Sequence, residues 1–248
     1  MTLFDKIERA KDNLTGVVLK TPLQFSINLS EKYQASIYLK REDLQQVRSY
    51  KIRGAFNKIS QLNTQQKSNG IVCASAGNHA QGVAYSCQVL QIQGKIYMPK
   101  TTPKQKIKQV QLFGKTFVEN VLIGDTFDDA FHAAKQFSIE NQLEFIHPFD
   151  DIEVIAGQGT VGLEILSEQL PVIDYLLLPI GGGGLAAGVS TVFKHLSPKT
   201  KIFGVEPQGA PSMQQAILHQ QPFFLDTIDK FVDGAAVKQV GDKTYEVC

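Results

Sequence analysis

The chain has 248 residues, 43% of them hydrophobic and 20% charged, which suits a folded globular protein with a substantial core. Its formal net charge of +1 gives no electrostatic field that would favour nucleic acid or an acidic membrane surface as a partner. Cys73, Cys87 and Cys248 form no CxxC pair, and no apolar run is long enough to cross a bilayer, so we expect a soluble cytoplasmic protein without a disulfide framework.

Short apolar runs rich in β-branched residues alternate along the chain with longer segments of helical period. This alternation predicts an α/β fold with parallel sheets and crossover helices. The predicted strands lie at residues 36–39, 71–74, 95–98, 116–119, 145–146, 175–179 and 201–205. The clearest predicted helices lie at residues 49–61, 80–90, 103–113, 127–141, 158–169 and 185–195.

The stretch RSYKIRGAFNKI, at residues 48–59, places Lys51 directly after an aromatic residue where a helix is predicted to begin. Lysines are mostly solvated surface residues, and nothing in this stretch alone marks Lys51 as different. Its function therefore depends on the residues that the fold brings near it.

A loop of small residues, SAGNHAQG at residues 75–82, leads from a predicted buried strand into a helix. The loop would expose backbone N–H groups at the helix N-terminus beside the Ser75 hydroxyl, the Asn78 amide and His79. That arrangement suits a small carboxylate. It suits an ordinary helix cap by Ser75 or Asn78 equally well, and His79 alone is more often a helix-start residue than a base.

The run GGGGLAAG, at residues 181–188, follows a predicted strand and opens a helix. A strand, a glycine loop and a helix N-terminus together form an anion site, because backbone without side chains can curl until several N–H groups face one phosphate. A tight turn alone would seldom need four glycines in succession. The run is not a P-loop, since Gly-Leu-Ala stands where Gly-Lys-Ser/Thr is required.

A dinucleotide site is one alternative for this glycine run. Gly182, Gly184 and Ala187 satisfy G-x-G-x-x-A, and Glu206 ends the next predicted strand, where an acid that binds ribose is expected. A nicotinamide-dependent oxidoreductase therefore stays open as an alternative, although it leaves SYK and SAGNH unexplained.

A lysine, a phosphate loop and a carboxylate loop are the components of an amino-acid enzyme that holds pyridoxal 5'-phosphate as a Schiff base. The sequence resembles the threonine dehydratases (threonine ammonia-lyases) of the biosynthetic type, which belong to the tryptophan-synthase-β-like pyridoxal-phosphate enzymes. The resemblance runs in order along nearly the whole chain. Its motifs are TPL (21–23), YLKREDLQ (38–45), SYKIRGA (49–55), SAGNHAQG (75–82), GGGGLAAG (181–188) and DGAAV (233–237).

The resemblance implies two doubly wound parallel sheets in two lobes. The large, cofactor-binding lobe would comprise residues 1–53 and 149–248, and the small lobe residues 54–148. The family continues beyond the position of Cys248, so the large lobe would be incomplete and would lack the partner of the pyridine nitrogen. We therefore expect the 248-residue chain to be inactive or nearly so, and a non-catalytic fragment that binds the cofactor or a partner is the other alternative.

The resemblance also assigns residues to roles. Lys51 would form the Schiff base, with Tyr50 on one face of the pyridine ring and Gly234 on the other. Asn78 would contact the phenolic oxygen of the ring. Ser75, Asn78 and His79 would receive the substrate carboxylate. The phosphate would be held by Gly181, Gly182, Gly183 and Gly184.

The activity that the resemblance implies is the conversion of L-threonine to 2-oxobutanoate and ammonia, and of L-serine to pyruvate, with Lys51 removing the α-proton. This would be the first step of isoleucine biosynthesis, carried out by a homodimer or homotetramer. Related serine racemases have a second serine where this chain has Ala76, so elimination is expected rather than racemisation. Racemase-like members bind a divalent ion through two carboxylates; Glu206 matches one, but Ser212 stands at the other, so no metal is expected.

Overall fold

The computed structural model describes residues 1–168 and 172–248. Its helices are α1 (Leu3–Asn13), α2 (Ile27–Tyr33), α3 (Lys51–Ser60), α4 (Thr64–Asn69), α5 (Asn78–Leu90), α6 (Lys104–Gly114), α7 (Phe127–Glu140), α8 (Ile152–Ser167), α9 (Gly184–Leu196), α10 (Ser212–His219) and α11 (Asp242–Val247). Its strands are β1 (Leu23–Phe25), β2 (Tyr38–Lys40), β3 (Ile71–Ala74), β4 (Gly94–Met98), β5 (Val118–Leu122), β6 (Glu144–Phe145), β7 (Tyr175–Pro179) and β8 (Lys201–Val205). Among these residues, no helix combines the length and the apolar character needed to span a membrane.

A four-stranded parallel sheet, in the order β5-β4-β3-β6, forms the centre of the region between residues 71 and 145. Side chains of β3 alternate between its two faces, as strand geometry requires. Ile71 and Cys73 pack with α3, α5 and α6, whereas Val72 and Ala74 pack with α7. Helices therefore cover both faces of this sheet, which is the doubly wound arrangement that the sequence predicts.

The second sheet pairs β7 with β8 in parallel. Leu176, Leu178 and Ile202 face a core that contains residues of α8, α9 and α10. The opposite face is open to solvent among the described residues. It exposes Tyr175, Leu177, Phe203 and Val205.

The strand predicted at residues 36–39 does not join a parallel sheet. It forms β2, which pairs antiparallel with β1. The sequence did not predict β1, because a strand of three residues is too short to show a period of two. The helices α1, α2, α4, α10 and α11 were also missing from the predicted set.

Two predicted boundaries were wrong for local reasons. The helix predicted at residues 158–169 begins at Ile152, because Asp151 Oδ1 accepts hydrogen bonds from Glu153 N at 2.8 Å and Val154 N at 3.1 Å. Its predicted last residue, Gln169, lies outside the described residues. The strand predicted at residues 116–119 begins only at Val118, because a 3-10 turn, Lys115–Phe117, precedes it.

Candidate active site

Lys51 opens α3, and its side chain points toward the segment between β6 and α8. Its Nζ donates a hydrogen bond to the carbonyl oxygen of Pro148 at 2.7 Å. Burial disfavours the charged form of the amine and lowers the pKa of Lys51 to about 8. Lys51 is thus a partly buried amine that gives up its proton at lower pH than a solvated surface lysine does.

The loop at residues 75–77 and the first turn of α5 lie beside Lys51. A Cβ atom at Gly82 would lie 3.1 Å from the carbonyl carbon and oxygen of Lys51, so α5 passes directly against the start of α3. Ser75 Oγ accepts a hydrogen bond from Gly77 N at 3.2 Å. The exposed side chain of Asn78 and the backbone N–H groups of Ala76, Asn78 and His79 have no hydrogen-bond partner within the described ranges, so they are available to a carboxylate.

His79 is almost fully buried, with 3% of its surface exposed. Its Nε2 lies 3.0 Å from the carbonyl oxygen of Ile146, so Nε2 carries the proton and Nδ1 is left as an unprotonated acceptor. Burial and, secondarily, the charge of Lys51 lower the pKa of His79 to about 3. A neutral imidazole in this tautomer offers a carboxylate no donor, so only the backbone N–H of His79 can serve the predicted role.

The glycine loop at residues 181–184 precedes α9, and its glycines are needed for different reasons. A Cβ atom at Gly182 would overlap the ring of Phe149, and one at Gly184 would lie 2.6 Å from Gln158 Oε1. Gly183 has φ +93°, which favours glycine. Close packing on both sides therefore excludes side chains from this loop.

The backbone of the same loop supplies unused hydrogen-bond donors. Within residues 1–168 and 172–248, the N–H groups of residues 181–184 donate to no acceptor. Unpaired buried N–H groups are costly, and here they stand at the positive end of α9. A phosphate group would satisfy them, so the residues present fit the phosphate of pyridoxal phosphate.

Gly234 lies next to the glycine loop, as the predicted role requires. A Cβ atom at Gly181 would lie 3.0 Å from Ala235 Cα and 3.4 Å from the carbonyl oxygen of Gly234. A Cβ atom at Gly234 itself would meet nothing within 4 Å, so this backbone faces open space that a planar ring could enter. Tyr50 packs against the core of the second sheet, and its ring centroid lies 5.5 Å from Lys51 Nζ.

The segment at residues 147–150 connects these parts, and the sequence analysis missed it. Pro148 accepts the hydrogen bond from Lys51, while the next residue, Phe149, packs against Gly182 and Gly184. His147 Nδ1 accepts hydrogen bonds from Phe149 N at 3.3 Å and Asp150 N at 2.7 Å, which fixes the turn. One available signal was position, because this segment directly follows the carboxyl end of the parallel strand β6, the edge where α/β sheets bind ligands.

A buried group of charges supports the helix that carries Lys51. Arg53 is 1% exposed, and its guanidinium makes paired hydrogen bonds of 2.7–2.9 Å to the carboxylates of Glu42 and Glu164. Lys40 also pairs with Glu164, and Thr21 Oγ1 donates to Glu42 Oε1 at 2.6 Å. The motifs TPL and YLKREDLQ therefore contribute to the anchor of α3.

Glu206 has a structural partner. Its two carboxylate oxygens accept hydrogen bonds from Met213 N and Gln214 N, each at 2.8 Å, and so cap the N-terminus of α10. Ser212 Oγ lies 3.4 Å from the same carboxylate. Capping of α10 is therefore a structural role that accounts for an acid at position 206. The described residues contain no group of three metal-ligating side chains.

Comparisons with known proteins identify the family of this chain. A family model described as "Pyridoxal-phosphate dependent enzyme" matches residues 14–248. The chain is 56% identical over 239 residues to the L-threonine dehydratase biosynthetic IlvA of Halalkalibacterium halodurans, covering 96% of this chain and 58% of that protein. It is 54% identical over 239 residues to the protein of the same name from Bacillus subtilis, covering 96% and 57%. The chain thus spans less than two thirds of the length of these relatives.

Solved structures agree with this similarity. The processed form of threonine deaminase isoform 2 from Solanum lycopersicum matches with a TM-score of 0.91 and 43% identity, covering 98% of this chain and 71% of that one. Maize serine racemase matches with a TM-score of 0.92 and 32% identity, covering 98% and 72%. The resemblance and the fold predicted from the motifs are confirmed. This chain belongs to the family of pyridoxal-phosphate-dependent enzymes.

Proposed function

We propose that this chain carries the reactive residues of a threonine ammonia-lyase, which converts L-threonine to 2-oxobutanoate and ammonia, and L-serine to pyruvate. The observation that carries the proposal is the position of the partly buried Lys51 amine. It bonds to Pro148, and the next residue, Phe149, packs against the glycine loop, whose N–H groups have no acceptor among the described residues. The identity above 50% with proteins named biosynthetic L-threonine dehydratase supports the choice of substrate.

Pyridoxal phosphate would be held by the residues that the motifs assign. Lys51 would attach it, the N–H groups of Gly181, Gly182, Gly183 and Gly184 would bind its phosphate, and Asn78 would contact its phenolic oxygen. Tyr50 and Gly234 would enclose the ring. When bound, the cofactor withdraws electrons from the α-carbon of the amino acid, which makes the α-proton acidic.

Lys51 Nζ moves the proton in this proposal. A pKa of about 8 leaves part of the free amine neutral at physiological pH, so Nζ, when it is not itself attached to the cofactor, can accept the α-proton of the substrate. Its hydrogen bond to the Pro148 carbonyl orients the amine. The same atom, once protonated, can return a proton to the departing β-hydroxyl.

The substrate carboxylate would be bound at the start of α5. The Ser75 hydroxyl, the Asn78 side chain and the backbone N–H of His79 are the available donors, and the helix N-terminus adds a favourable field. The neutral His79 ring, hydrogen-bonded to Ile146, would fill the space beneath them. Recognition of the carboxylate therefore relies on dipoles rather than on a cationic side chain.

Ala76 limits the reaction to one face of the substrate. Its methyl group packs against the core of the four-stranded sheet and cannot carry a proton. We expect D-serine formation from L-serine to be far slower than pyruvate formation. Chiral chromatography of the products tests this, and the variant Ala76→Ser, which adds a hydroxyl there, should raise the share of D-serine; comparable rates of both reactions in the unaltered protein would contradict it.

The proposal is tested by mixing purified protein with pyridoxal phosphate and L-threonine and measuring 2-oxobutanoate. Reduction with borohydride should fix the cofactor to the peptide that contains Lys51, and Lys51→Ala should show neither attachment nor turnover. Attachment without turnover would support the alternative of a non-catalytic cofactor-binding protein. Nicotinamide binding without pyridoxal-phosphate attachment would contradict the proposal.

The biological setting is part of the same proposal. The biosynthetic name of the relatives supports a place in isoleucine biosynthesis. A cytoplasmic location is part of the proposal. A homodimer or homotetramer is the proposed assembly, and light scattering of the purified protein tests it. We also retain the proposed lobes, residues 1–53 with 149–248 and residues 54–148, with the Pro148 and Phe149 contacts at their boundary.

A further inference from the structure

The peptide group between Gly182 and Gly183 is held by a residue outside the glycine loop. Thr244 Oγ1 donates a hydrogen bond to the carbonyl oxygen of Gly182 at 2.7 Å. The same hydroxyl accepts one from Gly241 N at 3.0 Å. Thr244 is completely buried, so water does not compete for these bonds. The hydroxyl also lies 3.0 Å from the carbonyl oxygen of Gly241, a second possible acceptor, but its contact with the Gly182 carbonyl is the shorter of the two.

Fixing that carbonyl also fixes the direction of an N–H group. A trans peptide is planar, and its C=O and N–H point in opposite directions. Because the Gly182 carbonyl points toward Thr244, the N–H of Gly183 points away from α11. Gly183 has φ +93°, and glycine adopts positive and negative φ about equally readily, so a contact from outside the loop helps to select this orientation.

Thr244 is itself held by the segment that contacts Lys51. Asp150 Oδ1 accepts hydrogen bonds from Lys243 N at 2.8 Å and Thr244 N at 3.2 Å. Asp150 follows Phe149, whose ring packs against Gly182. The loop is thus held between Phe149 on one side and Thr244 on the other. A Cβ atom at Gly183 would lie 2.8 Å from the Thr244 Cβ, which shows how closely they approach.

We propose that Thr244 is a positioning residue for the cofactor phosphate: its hydroxyl holds the peptide between Gly182 and Gly183 so that the Gly183 N–H faces the anion. The inference rests on the proposal that the glycine loop binds the phosphate of pyridoxal phosphate. Thr244 touches neither the substrate nor Lys51, and it acts through the backbone of Gly182.

The first test compares pyridoxal phosphate with pyridoxal, which lacks the phosphate. Thr244→Val keeps the shape of the side chain and removes its hydroxyl. Dissociation constants are measured from the visible absorbance of the cofactor attached to Lys51. We expect Thr244→Val to weaken pyridoxal phosphate binding roughly tenfold, the size of effect associated with one lost hydrogen bond, and to leave pyridoxal binding unchanged.

The matched control is Thr244→Ser, which keeps the hydroxyl and loses only the methyl group. It should retain the preference of the unaltered protein for pyridoxal phosphate over pyridoxal. Equal weakening of both compounds by Thr244→Val would overturn the inference, because a general loss of structure does not distinguish them. A serine variant as weak as the valine variant would also overturn it.

A measurement on the unaltered protein covers the case in which Thr244→Val fails to fold. The protein is labelled with ¹⁵N-glycine and titrated with inorganic phosphate, and the glycine amide signals are followed by NMR. The Gly183 amide should show one of the largest shifts. Saturable shifts elsewhere in the loop without any at Gly183, or no shift in the loop, would overturn the inference.

Neither measurement uses turnover of an amino acid. Suppose that phosphate shifts the NMR signal of the Gly183 amide and that Thr244→Val loses the preference for pyridoxal phosphate over pyridoxal. If L-threonine is nevertheless not consumed, the inference stands and the proposed activity fails. If L-threonine is consumed and Thr244→Val keeps the full preference for pyridoxal phosphate, the activity stands and the inference fails.

Discussion

The chemistry of Lys51 depends on where its amine lies. Its nearest acceptor is the Pro148 carbonyl, 97 residues away in sequence, and the imidazole of His79 in the first turn of α5 is neutral. The motifs identified the lysine and the loops, because glycine runs and small-residue turns have local signatures. They did not identify Pro148 or Thr244, since the roles of these two residues exist only through contacts with distant parts of the chain.

The pKa of Lys51 gives a direct prediction about pH. Because burial lowers this pKa from 10.5 to about 8, the rate of cofactor attachment should rise with pH up to about 8 and then level off. Stopped-flow absorbance with pyridoxal phosphate measures that rate. Free lysine, assayed alongside, should continue to accelerate toward pH 10. A protein profile that follows free lysine would contradict the prediction.

Arg53 is a charged side chain that is buried together with its carboxylate partners. Its guanidinium pairs with two carboxylates, and Lys40 adds a second positive charge at Glu164. Each of these charges would be costly if left alone in the interior. The hydrogen bonds to Glu42 and Glu164 raise the pKa of Arg53 despite its desolvation. The same contacts lower the pKa of Glu164. The pairing thus favours the charged forms of both Arg53 and Glu164.

We expect Arg53→Met to reduce the free energy of unfolding by about 3–5 kcal/mol, because it leaves two carboxylates without their buried partner. Urea unfolding followed by circular dichroism measures the change. The control is Arg41→Met, which removes a solvent-accessible pair with Asp43 and should change the free energy of unfolding far less. Similar losses in the two variants would show that burial of the Arg53 group has no special cost.

At the scale of elements, α3, α8 and α9 are packed together through glycines. A Cβ atom at Gly54 would lie 2.8 Å from Val154, on α8. One at Gly188 would lie 2.5 Å from the carbonyl oxygen of Ile155 and 2.8 Å from Gly159 Cα. Helices that approach this closely hold the Lys51 helix and the phosphate-loop helix in a fixed relation.

Gly188→Ala tests this packing. Glycine to alanine inside a helix normally stabilises by about 0.5–1 kcal/mol, but here the new methyl group would meet backbone atoms of α8 that cannot move aside. We expect a net loss of about 1–3 kcal/mol in the free energy of unfolding. Gln105→Ala, at an exposed position on α6, is the control and should change little. A Gly188→Ala protein more stable than the original would refute the close approach.

The sequence predicted helices and strands best where a run of apolar residues ends at clear loop residues. The strands predicted at residues 71–74, 175–179 and 201–205 match the observed strands, because each is an apolar run bounded by loop residues. The start of α8 was missed because its first residues, IEVI, show no period, and the cap by Asp151 decides the boundary. A short strand such as β1 forms because it pairs with β2, not because its own residues strongly prefer the extended conformation.

At the scale of the whole molecule, the two sheets differ in how they are covered. Helices protect both faces of the four-stranded sheet, while the pair β7-β8 exposes Leu177 and Phe203 at 65% and 50%. An exposed apolar strip of this kind marks a surface that favours association.

The whole molecule should lose stability in mild acid. Burial lowers the pKa of His79 to about 3 and that of His147 to about 4, both from 6.5. The folded state then binds fewer protons than the unfolded state, so the free energy of unfolding falls as pH drops below 6.5. Between pH 6.5 and 5 this loss should dominate, because Glu153 and Glu164, whose pKa values are lowered, remain ionised.

Urea midpoints at pH 7, 6 and 5 measure this loss. His147→Asn retains a hydrogen-bond acceptor without a titrating ring, and it should make the dependence on pH shallower. His219→Asn, at an exposed position on α10, is the control variant. An unaltered slope in His147→Asn would show that His147 is not held neutral in the folded protein.

The residues that pair with Arg53 are synthesised at different times on the ribosome. Lys40, Glu42 and Arg53 lie early in the chain, whereas Glu164 follows Arg53 by 111 residues. At typical translation rates of about 5–20 residues per second, Arg53 would wait roughly 6–22 s for its second carboxylate. During that interval Glu42 is the only one of these two carboxylates that Arg53 could pair with. The contacts that anchor α3, the helix of Lys51, can therefore be completed only after α8 has been synthesised.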